Sequence, residues 1–139
     1  MNRNVTITVA ISIFGLILAA CGRSDSSGEK TIKSTKSGDT TITISSASGE
    51  IKEGENELTL SFADASGKAV DVRAASLKFH MPAMGSMAEM NDVATLTTTD
   101  TPGKFQARVD VEVAGSWEAM ISFQGPRGTE QVMMSVNAK

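Results

Sequence analysis

Apolar and polar residues alternate with a period of two along most of the chain after residue 40. The clearest run extends from Phe105 to Val113, where every second residue is apolar and the residues between are Gln, Arg, Asp and Glu. Such alternation is typical of strands that bury one face. The other runs have their apolar positions at Ile42 and Ile44; Leu58, Leu60 and Phe62; Leu77, Phe79 and Met81; Trp117, Ala119, Ile121 and Phe123; and Val132, Met134 and Val136.

Clusters of turn-forming residues separate these runs, as in Thr101-Pro102-Gly103 and Gly125-Pro126-Arg127-Gly128. Glycine and proline in such clusters favour reversal of the chain. Short strands with one apolar face, interrupted at regular intervals by turns, indicate two packed antiparallel sheets. We therefore predict an all-β, immunoglobulin-like antiparallel β-sandwich of about seven strands, occupying residues 40–139, with Trp117 in its core.

The turn from Gly125 to Gly128 predicts the register of the last hairpin. Proline suits the second position of a tight turn because its φ is already restricted, so residues whose numbers sum to 253 should lie opposite each other. Trp117 and Val136 then face inward, and Met120 lies opposite Met133 on the outer face. An outward methionine pair is either an additional soft-metal site, a contact surface for a partner or a neutral feature.

The first residues of the chain predict export and a lipid anchor. Arg3 precedes an apolar run that ends in Leu18-Ala19-Ala20-Cys21, and a basic start, a short apolar stretch and small residues before a cleavage point are features of a secretory signal. The last four residues match the bacterial lipobox, in which the cysteine thiol receives a diacylglycerol. A retained membrane helix needs about 20 apolar residues, whereas this run is shorter and contains Thr and Ser. We predict a lipoprotein signal peptide at residues 1–20 and acylation, including palmitate, at Cys21.

Acylated Cys21 makes the lipid bilayer one partner and places the protein in the cell envelope. The next residue is Gly22, so the aspartate that commonly retains lipoproteins at the inner membrane is absent. In a Gram-negative cell this favours the outer membrane, facing the periplasm. Residues 21–39 contain Ile32 as their single large apolar residue, and we predict that they form a flexible tether.

Composition excludes two broad functions. The net charge is −3 and the lysines are scattered, so no basic stripe is available for nucleic acid. The chain has one His and no Tyr, and its one Cys is assigned to acylation. No nucleophile and base are paired by the sequence, and we therefore predict that the protein is not an enzyme.

Methionine recurs at every third position directly after the single histidine, His80. Thioether sulfur favours Cu(I), and imidazole also binds copper. A zinc site ordinarily recruits Cys, carboxylates or several His, and a blue-copper site needs two His and a free Cys. The segment therefore predicts copper, Cu(I) first, with the candidate ligands His80, Met84, Met87 and Met90 and, as additional candidates, Met81, Met120 and Met133.

Strand geometry separates these candidates. His80 should face outward and Met81 inward because successive side chains of a strand alternate, which makes Met81 the weakest candidate ligand. Pro82 and Gly85 should end the strand and place the later methionines on a loop or a short helical turn. The alternative is that these methionines fill gaps in an apolar core.

Two carboxylates, Glu89 and Asp92, flank the methionine segment. We interpret both as solvated loop charges. A carboxylate that hydrogen-bonds His80 and orients it toward a metal is the alternative.

Several of these motifs together resemble the YtkA-like domain family, which is related to FixH. The motifs are Asp64 to Val70, Met81-Pro82-Ala83-Met84-Gly85, Pro102-Gly103-Lys104-Phe105 and Gly115-Ser116-Trp117-Glu118. The resemblance covers about residues 49–137 and implies an exported, membrane-attached immunoglobulin-like sandwich associated with copper handling, metal efflux or oxidase assembly. Members often carry His directly after the Met-Pro-x-Met-Gly box, where this chain has Ser86.

The predicted function is that of a membrane-anchored lipoprotein that binds Cu(I) through its His/Met loop for delivery or tolerance. The resemblance adds a membrane-protein partner from oxidase assembly or metal efflux. The alternative is an assembly module without metal, in which the methionine loop is an adaptable apolar contact surface.

Overall fold

The structure is a computed structural model that describes residues 28–139. The predicted signal peptide and Cys21 lie outside the described residues. The described part of the chain forms nine strands and no helix, so it contains no helix able to cross a membrane. The strands are β1 (Lys30–Ser37), β2 (Thr40–Ser46), β3 (Gly54–Ala63), β4 (Ala75–Met81), β5 (Met90–Val93), β6 (Thr95–Thr98), β7 (Lys104–Val111), β8 (Gly115–Gly125) and β9 (Gly128–Ala138).

These strands form two antiparallel sheets, one with the order β1-β2-β3-β7-β6 and the other with the order β5-β4-β8-β9. The predicted all-β sandwich is confirmed, but the described residues contain nine strands where about seven were expected. The strands missing from the prediction are β1, β5 and β6. Strands β1 and β6 each contain one large apolar residue, and the two in β5, Met90 and Val93, are three positions apart. None of the three strands therefore shows a clear period of two.

The two sheets bury their apolar faces against each other. Phe62 of β3 contacts Phe123 of β8 across the sandwich, with ring centroids 4.8 Å apart. It also meets Phe105 of β7 edge to face at 6.0 Å, a favoured arrangement of aromatic rings. Trp117 is buried as predicted, and its indole Nε1 donates a hydrogen bond to the Val113 carbonyl oxygen at 3.0 Å.

Strand β1 lies within residues 21–39, the segment predicted to be a flexible tether. It pairs with β2 from Lys30 opposite Ser46 to Ser37 opposite Thr40. Ile32 is partly buried against the core, while most of the other β1 side chains are exposed. Nearly every residue of β1 is polar, so backbone hydrogen bonds to β2 are what keep β1 in the sheet. Residues 30–37 belong to the sandwich, contrary to the prediction of a flexible tether through Asp39.

The last hairpin has the predicted register. Trp117 lies opposite Val136, Met120 lies opposite Met133, and Gly125 lies opposite Gly128. Burial of Trp117 and the four-residue turn require the same pairing, because a shift by one residue would turn the tryptophan toward solvent.

The connection after β3 is held by hydrogen bonds to the backbone. Asp64 Oδ1 accepts hydrogen bonds from the Ser66 hydroxyl and from the Ser66 and Lys68 amides. These donors, the Ser66 hydroxyl foremost, lower the pKa of the Asp64 carboxyl because they favour its charged form. The Phe62 amide donates to the Gly103 carbonyl oxygen at 2.8 Å and thereby joins the end of β3 to the turn before β7.

Candidate functional site

Strands β4 and β5 form a hairpin that carries the whole methionine segment. The paired residues are His80 with Asn91, Met81 with Met90 and, as an isolated bridge, Met84 with Met87. In each pair the residue numbers have the same sum, so one register extends from the sheet to the tip. The segment is therefore an extended hairpin, and of the two predicted alternatives the helical turn is wrong.

The tip of this hairpin is a two-residue turn at Gly85 and Ser86. The Met84 amide donates to the Met87 carbonyl oxygen at 3.1 Å, and the Met87 amide donates to the Met84 carbonyl oxygen at 2.9 Å. Gly85 has a φ of 58°, as required at the first central position of a type II′ turn. Glycine at this position permits the tight reversal that brings the two methionines opposite each other.

Met84 and Met87, hereafter the tip pair, are exposed to 65% and 48%. Residues that exchange both backbone hydrogen bonds across an antiparallel pair have Cα atoms about 5.5 Å apart and side chains on the same face. Two flexible thioethers therefore project from one face of the tip. Their exposure argues against the interpretation that they fill gaps in the core.

Met81 and Met90 face the other way. Met81 is only 6% exposed and belongs to the core, as its place in the strand predicted. Met90 lies opposite Met81 and is partly buried against the same core. Because directly opposed residues share a face, the structure separates Met90 from the tip pair.

His80 faces outward from β4 and is half-buried. Its Nδ1 lies 3.0 Å from Asn91 Oδ1. Met84 follows four residues later, about 13 Å away along an extended strand at about 3.3 Å per residue. The structure therefore does not bring His80 together with the tip pair, and the four predicted ligands lie in three separate places.

His80 has different neighbours on the outer face of the four-stranded sheet. Glu118 of β8 lies opposite it, and Met120 of β8 lies opposite Lys78. One shallow concavity of about 450 Å³ is lined by Lys78, His80, Glu89, Asn91, Glu118, Met120 and Met133. Sequence analysis missed Asn91 and Glu118 as neighbours of His80, because only the pairing of β4 with β5 and β8 brings them there.

The two carboxylates beside the methionine segment differ in environment. Glu89 is exposed, as predicted. Asp92 is only 8% exposed, and its Oδ2 accepts a hydrogen bond from the Glu112 amide at 3.2 Å. The interpretation of Asp92 as a solvated loop charge is therefore wrong, because its position opposite Phe79 turns it toward the interior. Asn91, rather than either carboxylate, hydrogen-bonds His80.

Within residues 28–139, no three His, Cys, Asp or Glu side chains are grouped so that they could hold a metal ion. The outward-facing methionines are the tip pair and, on the sheet face, Met120 and Met133.

The family model described as YtkA-like matches residues 34–122. The match begins within β1 and includes the whole β4–β5 hairpin, so it starts earlier than the motifs that carry the resemblance. Comparison with curated proteins and with solved structures gives no significant match. Since the matched residues make up more than half of the chain and include the Met-Pro-x-Met-Gly box, the chain belongs to the YtkA-like family.

Proposed function

We propose that this YtkA-like protein is an exported, lipid-anchored protein that binds Cu(I) at the tip of its β4–β5 hairpin, for copper delivery or tolerance. The observation that carries the proposal is the exposure of the tip pair, Met84 and Met87, opposite each other on a two-residue turn. Thioether sulfur prefers Cu(I) over harder ions.

The surroundings of the tip pair favour transfer of an ion over permanent storage. Between His80 and Met90, Glu89 is the single charged residue, and residues 82–89 are all exposed. Two thioethers leave the rest of the coordination sphere of a bound Cu(I) open to a ligand from another protein. A membrane-protein partner in metal efflux or oxidase assembly would suit such an open site.

Replacing both members of the tip pair by leucine is expected to weaken Cu(I) binding at the tip at least about tenfold, ~1.4 kcal/mol. Leucine keeps the apolar volume and removes only the sulfur. The measurement is competition for Cu(I) between the full-length protein in detergent and a chromophoric chelator. The melting temperature should stay nearly unchanged, because neither side chain is packed in the core.

Met134→Leu is the matched control, since it removes one sulfur from the buried face of β9. It should leave the competition curve of the wild-type protein unchanged. A folded Met84→Leu, Met87→Leu protein that holds Cu(I) as tightly as the wild type would contradict the proposed tip site. A wild-type protein that takes no Cu(I) from the chelator would instead favour an assembly module without metal.

Cys21→Ser is expected to abolish lipid attachment, because the chain has no other cysteine that could form the thioether. Cells fed a fatty acid that carries a detectable tag should label the wild-type protein and leave Cys21→Ser unlabelled. Ser24→Ala, a change near the same site, should be labelled like the wild type. Equal labelling of the wild type and Cys21→Ser would contradict the lipid anchor.

A further inference from the structure

The outer face of the four-stranded sheet brings the single histidine of the chain close to two methionines. Glu118 is the residue of β8 opposite His80, so Met120, two residues further along the same strand, is its diagonal neighbour. Diagonal neighbours on a sheet are about 7–8 Å apart, within reach of long side chains. Met133 of β9 lies directly opposite Met120, at a Cβ separation of about 4.5–5.5 Å for such pairs.

These three side chains open into the same concavity. His80 and Met120 are half-buried, and Met133 is 60% exposed. An ion could therefore reach them from solvent. Lys78, Glu89 and Glu118 also line the concavity. One lysine and two glutamates give it a net negative charge, which favours a cation.

The hydrogen bond from His80 to Asn91 prepares the imidazole to act as a ligand. An amide oxygen only accepts hydrogen bonds, so the His80 tautomer that donates to Asn91 Oδ1, 3.0 Å away, carries its proton on Nδ1. Nε2 then carries the free lone pair. Histidines that bind metals commonly have the other ring nitrogen held in this way, which sets both the tautomer and the orientation of the ring.

We propose that His80 Nε2 and the sulfur atoms of Met120 and Met133 form a second Cu(I) site, the sheet-face site. Two thioethers and one neutral imidazole are a soft donor set that suits Cu(I) better than zinc or hard cations. The choice of copper rests on the proposed function, but the site shares no ligand with the tip pair. Either site can therefore fail in an experiment while the other is retained.

His80 is also a specific reporter, because it is the single histidine of the chain. The test follows the imidazole ¹⁵N resonances of full-length protein in detergent, labelled with ¹⁵N-histidine, while Cu(I) is added without oxygen. The Nε2 resonance should shift in the wild type and in Met84→Leu, Met87→Leu. In Met120→Leu, Met133→Leu, the Cu(I) concentration needed for the shift should rise at least about tenfold.

Val93→Leu is the matched control, since Val93 is an exposed apolar residue on the same face, opposite Lys78. It should behave like the wild type. Fluorescence of Trp117 checks folding in every variant. If the double variant does not fold, Met133→Leu alone is used in its place, because Met133 is the most exposed of the three proposed ligands.

Three results would overturn the sheet-face site. One is the absence of any Cu(I)-induced shift at Nε2 in the wild type. Another is an unchanged shift in a folded protein that lacks both Met120 and Met133. The third is loss of the shift in Met84→Leu, Met87→Leu, which would assign His80 to the tip pair and leave copper binding at the tip intact as a proposal.

Discussion

Gly103→Ala is expected to destabilise the domain by about 3 kcal/mol or more, the upper part of the usual range for a single substitution. Gly103 has a φ of 70°, and a Cβ added there would lie 2.0 Å from the Val70 carbonyl oxygen and 3.1 Å from the Phe62 carbonyl oxygen. Left-handed backbone alone costs a residue with a Cβ about 1–2 kcal/mol. Both obstructing atoms belong to the backbone and cannot rotate away.

Hydrogen bonds around Gly103 increase the loss of stability expected from Gly103→Ala. The Phe62 amide donates to the Gly103 carbonyl oxygen at 2.8 Å, and the Val70 amide donates to the Phe62 carbonyl oxygen at 3.0 Å. Moving Gly103 away from Val70 therefore strains the link between the end of β3 and the start of β7. The measurement is the free energy of unfolding from urea denaturation.

Gly67→Ala is the matched control. Gly67 also has a positive φ, 84°, but a Cβ added there meets no atom within 4 Å. This variant should show only the conformational cost, about 1–2 kcal/mol. A loss of stability in Gly103→Ala no larger than that in Gly67→Ala would show that the close contact with Val70 is not rigid.

The second large effect is expected from Met81→Ala, which should lower the free energy of unfolding by about 2–5 kcal/mol. Met81 is 6% exposed, and its Cε lies 3.1 Å from the place where a Cβ on Gly115 would stand. Truncation would leave a cavity where β4 approaches the start of β8. A buried methionine lost in this way costs both its transfer free energy and the cavity.

Met84→Ala provides the same chemical change at a side chain that is 65% exposed. It should alter the free energy of unfolding by less than about 0.5 kcal/mol, as is usual for surface positions. Both variants are compared with the wild type in the presence of a copper chelator, so that metal binding does not contribute. Equal losses of stability would contradict the assignment of Met81 to the core and of Met84 to the surface.

Strands with one buried face were predictable because their apolar and polar residues alternate along the sequence. The run around Phe105 and Val109 and the inward position of Trp117 are examples, and the register of the last hairpin followed from a turn only four residues long. Strands β1, β5 and β6 were not predictable in this way. They contribute few large apolar side chains, and the neighbouring strands supply the backbone partners that make them strands.

Among the candidate copper ligands, too, some properties followed from the sequence and others only from the structure. The sequence alone determined that methionines follow His80 at every third position, that His80 faces outward and that Met81 faces inward, because alternation along a strand is a local property. Apart from Met120 and Met133, whose pairing followed from the last turn, only the tertiary structure decided which of these side chains are neighbours. Pairing across strands placed Met84 against Met87 and turned Met90 toward Met81, and it brought His80 close to Met120 and Met133, which lie 40 or more residues later in the chain.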